Sequence, residues 1–311
     1  MKNINKLNTK FAFDNESGTL KFKNYHKQSN YIIVEIENAH ASASIALQGA
    51  HLLRWSPVSN NHKDDIIWLS RNAVFAEAKS VRGGIPVCWP WFGAHPEQKD
   101  FPAHGFARTQ SWRVKAVNIL PGGETELLFC LLPEYLPESV KAMWPYKTPL
   151  EYSLKIGKNL QLQLTTFNHD KQALYISQAL HSYFNIGDIS AVTVYGLEAR
   201  EYLDKADNFN RKKQTGPLII DSEVDRIYLN TADDVLIDNL KRKIIIRKQG
   251  SHSTVVWNPW KKVAEKMGDM GLNGYAQMLC VESANAAEDR VKILPGESHS
   301  LKVCYEIEDM G

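Results

Sequence analysis

Residues 151–164, EYSLKIGKNLQLQL, decide the fold class. Leu160, Leu162 and Leu164 alternate with Gln161 and Gln163, so one face is apolar and the other polar. A period of two marks a half-buried strand. Gly157-Lys158-Asn159 supplies turn residues between this run and 151–156, which predicts an antiparallel hairpin. The same short alternating runs recur at 31–36, 45–48, 126–132, 190–195, 244–247, 254–257, 277–281 and 300–307. Turn residues separate them at short intervals, and no strand–helix–strand rhythm or glycine-rich phosphate fingerprint interrupts them. The pattern predicts an all-β chain, a large antiparallel β-sandwich or barrel with few helices. Two helices are expected. One starts at Asn258-Pro259 and ends near Gly268, with proline at the first helical position and glycine past the end. The weaker one covers 138–143.

Composition sets outer bounds. The chain has 311 residues and no proline-, serine- or glycine-rich linker, so one domain spanning 1–311 is the simplest expectation. Apolar residues make up 43% of it, enough for a core and too few for a membrane protein. No apolar run approaches the roughly 20 residues of a spanning helix. The net charge of +2 is spread out, and the run Lys241-Arg242-Lys243 is too small for a nucleic-acid footprint. The start, MKNINKLNTKFAF, lacks the apolar stretch of a signal peptide. Cys88, Cys130, Cys280 and Cys304 form no CxxC spacing, so no zinc site is expected. Their number and setting read as reduced, cytoplasmic thiols. A monomer is expected, without nucleic-acid or membrane partners.

The segment 82–113, RGGIPVCWPWFGAHPEQKDFPAHGFARTQSWR, resists any regular element. Prolines cannot complete a ladder, and Gly83-Gly84 opens backbone angles closed to other residues. Loops of this kind carry function more often than core elements do. The missing side chains at Gly83-Gly84 would let a ligand approach the backbone, and Arg82 beside them suits a phosphate or carboxylate. Were residues 104–108 extended, His104 and Arg108 would share a face about 13 Å apart, by the ~3.3 Å strand rise. Trp89, Trp91 and Phe92 either stack on a sugar ring or pin the loop to the core; at least two of the three are expected to be scaffolding.

Three further residues stand out for proton chemistry. His181 lies among apolar and aromatic neighbours, and an imidazole titrating near pH 6.5 is a useful general acid. Glu282 ends the apolar run 275–281, and a desolvated carboxyl there has its pKa raised toward that of a general base. Asp204 is either a turn aspartate or a site acid. Gln48 either contacts sugar hydroxyls or caps a turn. His51 and His95 have no spacing partner for a metal.

Taken in order, these elements resemble a known family. They are Leu47-Gln48-Gly49-Ala50-His51, the stretch from Arg82 to Gly93, His104-Gly105-Phe106-Ala107-Arg108, and Leu180-His181-Ser182-Tyr183-Phe184. Tyr202-Leu203-Asp204-Lys205, Val256-Trp257-Asn258-Pro259-Trp260 and Cys280-Val281-Glu282-Ser283-Ala284-Asn285 follow. The ordered set is similar to that of glucose-6-phosphate 1-epimerases, or hexose-6-phosphate mutarotases, relatives of aldose 1-epimerase. The resemblance implies a galactose mutarotase-like supersandwich and interconversion of the α and β anomers of a hexose 6-phosphate. It implies no metal and no organic cofactor. It assigns catalysis to His181 and Glu282, active-site positions to His104 and Asp204, and phosphate binding to Arg82 and Arg108. Ala199 departs from the glycine expected there. The alternatives are a non-catalytic sugar-phosphate binding protein, a free-aldose mutarotase, and a glycoside hydrolase. The last needs two carboxylates flanking the bond.

Overall fold

In a computed structural model, residues 3–26, 30–59 and 64–309 are described. The hairpin that opened the reading is present as Leu150–Ile156 paired to Leu160–Phe167, with Leu162 opposite Leu154. It belongs to a nine-stranded antiparallel sheet. The strand Ser298–Asp309 sits inside that sheet, between Leu160–Phe167 and Arg242–Gln249. An eight-stranded sheet runs through Val87–Cys88, Gln178–Leu180, Met278–Asn285, Ser253–Asn258, Val224–Tyr228, Glu201–Asp204 and Asn210–Lys213, and its eighth strand, Tyr183–Asn185, pairs with Met278–Asn285 off this path. A five-stranded antiparallel sheet formed by Phe13–Pro57 precedes both.

One apolar cluster joins the two large sheets. Leu154, Leu162, Val303 and Tyr305 enter it from the nine-stranded sheet, and Tyr202, Tyr228, Val256 and Val281 from the other. Because side chains alternate, the residues between those of the second sheet face away from this core. Cys88, Ala179, Ile227, Val255 and Ala284 form a separate small cluster on that outer face, with Leu203 and Phe92 packed on it. This face carries the site.

Three helices are present among the described residues. Trp260–Met267 follows Asn258, whose Oδ1 accepts from the Trp260 N–H at 2.9 Å, and Gly268 with φ +69° ends it. Glu138–Met143 falls where expected. Ile4–Phe11, capped by Asn3, was not foreseen, because none of its residues is fully buried and its apolar stripe is thin. The run 190–195 is only partly a strand: Ile189–Ala191 is a 3-10 turn and Thr193–Tyr195 the strand. No helix of the described residues is long and apolar enough to cross a membrane. All four cysteines are free thiols.

Candidate active site

The strand Met278–Asn285 is buried along its whole length, the apolar residues 278–281 and the polar Glu282, Ser283 and Asn285 alike. Glu282 stands opposite Val255, Val255 opposite Ile227, and Ile227 opposite Leu203, so all four share the outer face. The next row on that face is Tyr183, Cys280, Trp257 and Asp225. His181 occupies the break between Gln178–Leu180 and Tyr183–Asn185. Its N–H donates to the Pro86 carbonyl at 3.1 Å, and the Ser182 N–H donates to the Leu180 carbonyl at 2.9 Å, which kinks the chain there. Leu180 and Ser182 point to the core, where the Ser182 and Tyr305 hydroxyls lie 2.5 Å apart. His181 is left on the side of Glu282.

The two side chains meet. His181 Nε2 lies 3.4 Å from Glu282 Oε1, and the Glu282 side chain is 1% exposed. His181 Nδ1 and Glu282 Oε2 are buried without a protein hydrogen-bond partner. Burial, followed by the charge of Asp225, pushes the Glu282 carboxyl well above its ordinary range. Burial also holds His181 well below the usual imidazole value, helped by the positive field of Arg108 and Arg82. Both shifts favour the uncharged forms, carboxylic acid and neutral imidazole.

Aromatic rings fix the imidazole. Tyr183 stacks on it at 4.9 Å and 10°, and Trp257 meets it edge-on at 6.0 Å. Arg82 lies behind Tyr183. Its Nη1 donates to the Tyr183 hydroxyl at 3.0 Å, and its Nε donates to Asp269 Oδ1 at 3.1 Å. His104 sits 5.6 Å from His181, ring centre to ring centre, and 4.9 Å from Phe92. Its Nδ1 accepts from the Gly93 N–H at 3.3 Å, and burial lowers its pKa to about 3, so it too is neutral.

Some expected placements change. Residues 104–108 are not extended: His104 (φ +65°) and Gly105 (φ +68°) are both left-handed, and Ala107–Thr109 is a 3-10 turn. The shared strand face for His104 and Arg108 therefore does not exist; the turn brings both toward the pair instead. Arg108 donates to the Ala103 carbonyl at 2.8 Å and has no carboxylate partner among the described residues. Gly83 and Gly84 make room for the chain itself rather than for a ligand. A Cβ at Gly84 would lie 2.3 Å from His51 Nε2, and one at Gly83 would lie 2.6 Å from the Trp68 carbonyl. His51 is buried and bonded to the Gly83 carbonyl at 2.8 Å. Trp89 and Trp91 are scaffolding, their indole N–H groups spent on Thr166 and Pro102, while Phe92 borders the site.

Gln48 and Asp204 are not brought to the pair. The Gln48 amide bonds the carbonyls of Ala76 and Lys79 and the N–H of Ala78, which is the turn-capping alternative. Asp204 stands opposite Arg226, on the face of Tyr202 and Tyr228, and accepts from Lys212 at 2.8 Å. Asp225 takes the place near Glu282, held by Lys205 Nζ at 2.7 Å. Sequence reasoning missed it, because its face is set by register with two neighbouring strands. Ala199 adopts φ +61°, a left-handed position that explains an expectation of glycine.

A family model described as aldose 1-epimerase matches residues 33–306. The chain belongs to the aldose 1-epimerase family. A protein of Escherichia coli (strain K12) carrying the provisional name glucose-6-phosphate 1-epimerase is 37% identical over 259 residues, covering 82% of this chain and 84% of that protein. The crystal structure of a protein provisionally described as a mutarotase, from Salmonella typhimurium, superposes with a TM-score of 0.84. It is 30% identical, and the match covers 99% of each chain. Galactose 1-epimerase from Lactobacillus acidophilus NCFM shares the fold at a TM-score of 0.66 and 14% identity, covering 94% of this chain and 99% of that one. The family is one of isomerases, and the fold is galactose mutarotase-like.

Proposed function

We propose that this chain interconverts the α and β anomers of a hexose 6-phosphate, glucose 6-phosphate foremost, using Glu282 and His181 as the proton-transfer pair. The observation that carries the reading is their 3.4 Å contact, with an unpartnered polar atom on each side. Mutarotation removes a proton from the anomeric O1–H and delivers one to the ring oxygen O5. The ring opens to an aldehyde, the C1–C2 bond turns, and closure on the other face reverses the transfers. With Glu282 as acceptor from O1 and His181 as donor to O5, the pair passes from carboxylate and imidazolium to carboxylic acid and imidazole. The total is one proton throughout, so no exchange with solvent is needed within a cycle. Burial, which disfavours charge on both groups, favours this ring-opening direction of transfer.

His104 and Asp225 lie near enough to orient sugar hydroxyls. Arg108, with no carboxylate partner among the described residues, is the stronger phosphate ligand of the two arginines, and binding at a remote phosphate is a usual way to position a reacting centre. Four free thiols support a reducing, cytoplasmic setting. The test is anomer exchange followed by NMR. Each positioned transfer contributes roughly 10²–10⁴-fold. Glu282→Gln should cost about that much while leaving sugar-phosphate affinity within a few-fold, and exchange near wild type would remove Glu282 from the mechanism.

A further inference from the structure

Cys280 lies on the Glu282 face, and its thiol is not used by the acid/base cycle. It is two residues before Glu282 on the same strand, so both side chains project to the same side. Its sulfur, a ring nitrogen of His181 and a carboxylate oxygen of Glu282 all lie within 4.8 Å of one another. All three residues are buried, and two of them carry an unpartnered polar atom. Such orphans in a buried site call for a partner.

A tetrahedral zinc ion with Zn–N and Zn–O near 2.0 Å and Zn–S near 2.3 Å sets its donors roughly 3.3–3.6 Å apart. His181 and Glu282 are already 3.4 Å apart, and bringing separations of up to 4.8 Å to that spacing takes about 1.5 Å of relative movement at most. One sulfur, one imidazole and one carboxylate form a mixed set suited to a borderline-soft divalent ion rather than to Mg²⁺ or Ca²⁺. Three protein donors leave a fourth position open. The spacing argument from sequence could not find this site, because its ligands come from two strands joined only by register.

We propose that His181, Cys280 and Glu282 form a binding site for a borderline-soft divalent cation, Zn²⁺ above all, and that its occupation shuts off anomer exchange. Binding displaces the thiol proton and the Glu282 carboxyl proton, two protons for one ion. The metal site stands on geometry alone; the shut-off rests on the proposed roles of Glu282 and His181.

The experiment adds Co²⁺ as a spectroscopic stand-in to the purified chain. One equivalent should give a thiolate-to-cobalt charge-transfer band, and Zn²⁺ should abolish it. Glucose 6-phosphate should weaken it by competition. Stoichiometric Zn²⁺ should lower anomer exchange at least about tenfold, with recovery on chelation. Loss of a group that merely supports a metal ligand costs 10–100-fold in affinity, so removing the thiolate itself should cost no less. Cys280→Ser should keep basal exchange, lose the band and bind Zn²⁺ at least tenfold more weakly, with Cys280→Ala as the second variant should serine disturb the fold. Cys88→Ser should retain the band. No band in wild type, or an unchanged band in a folded Cys280 variant, overturns the site. A band without inhibition overturns the shut-off, and a band in a chain that has no exchange activity at all overturns the catalytic reading while leaving the site standing.

Discussion

Arg82 and Arg108 share a side chain and differ in employment. Arg82 spends two donors on Asp269 and Tyr183, and Tyr183 in turn stacks on His181. Arg108 spends one on a carbonyl. Arg108→Ala should therefore raise KM for glucose 6-phosphate at least about tenfold, the loss expected of a charge-assisted contact of 1.5–3 kcal/mol, with little effect on free glucose. Arg82→Ala should lower kcat on both sugars, because it loosens the ring beneath the imidazole. Equal KM effects of Arg108→Ala on the two sugars would exclude Arg108 as the phosphate ligand. At this scale His181 and Glu282 were each marked by a local signal, a histidine among aromatics and a glutamate ending an apolar run, and the structure brings them within 3.4 Å. Asp225 was not. A carboxylate's face depends on a register that only the neighbouring strands Glu201–Asp204 and Ser253–Asn258 define.

The loop from Arg82 to Arg108 is held by backbone approach rather than by regular pairing. A Cβ at Gly105 would lie 1.9 Å from the Trp89 carbonyl, and the residue has φ +68°. Gly105→Ala should lower stability by at least about 2 kcal/mol, from left-handed strain plus a clash with rigid backbone. It should also displace His104, the adjacent residue. Urea unfolding checks the first effect, and a midpoint unchanged from wild type would show that the loop relaxes freely. Strands with several alternating residues were readable one by one, as Leu160–Phe167 shows. Elements such as Val87–Cys88, Gln178–Leu180 and Leu218–Ile219 were not, since two or three residues carry no period to detect. The 104–108 turn escaped for a different reason: a histidine at positive φ is uncommon, and nothing local announces it.

At the scale of the whole molecule, Lys248 is a buried ionisable group at odds with its surroundings. It is 8% exposed, and its Nζ donates to the Ser253 carbonyl at 2.6 Å and to Thr254 Oγ1 at 2.7 Å. Burial pulls its pKa down to about 7 from an unfolded value near 10.5, against the opposing pull of Asp289 and Asp233. Between those two values the unfolded chain holds a proton that the native chain lacks, so stability rises with pH across the window and is lost as pH falls through about 7. Between pH 7.5 and 9 the wild type should gain up to about 1.4 kcal/mol per pH unit relative to Lys248→Met, measured by urea unfolding. Parallel slopes would show that the amine stays charged in the native state.

The strand Ser298–Asp309 lies between Leu160–Phe167 and Arg242–Gln249. During synthesis, Leu160–Phe167 and Arg242–Gln249 each lack a partner on that side until Ser298–Asp309 has been made. The two parts of the nine-stranded sheet are thus joined only when that strand arrives. Until then two strand edges stay unpaired, a hazard for association.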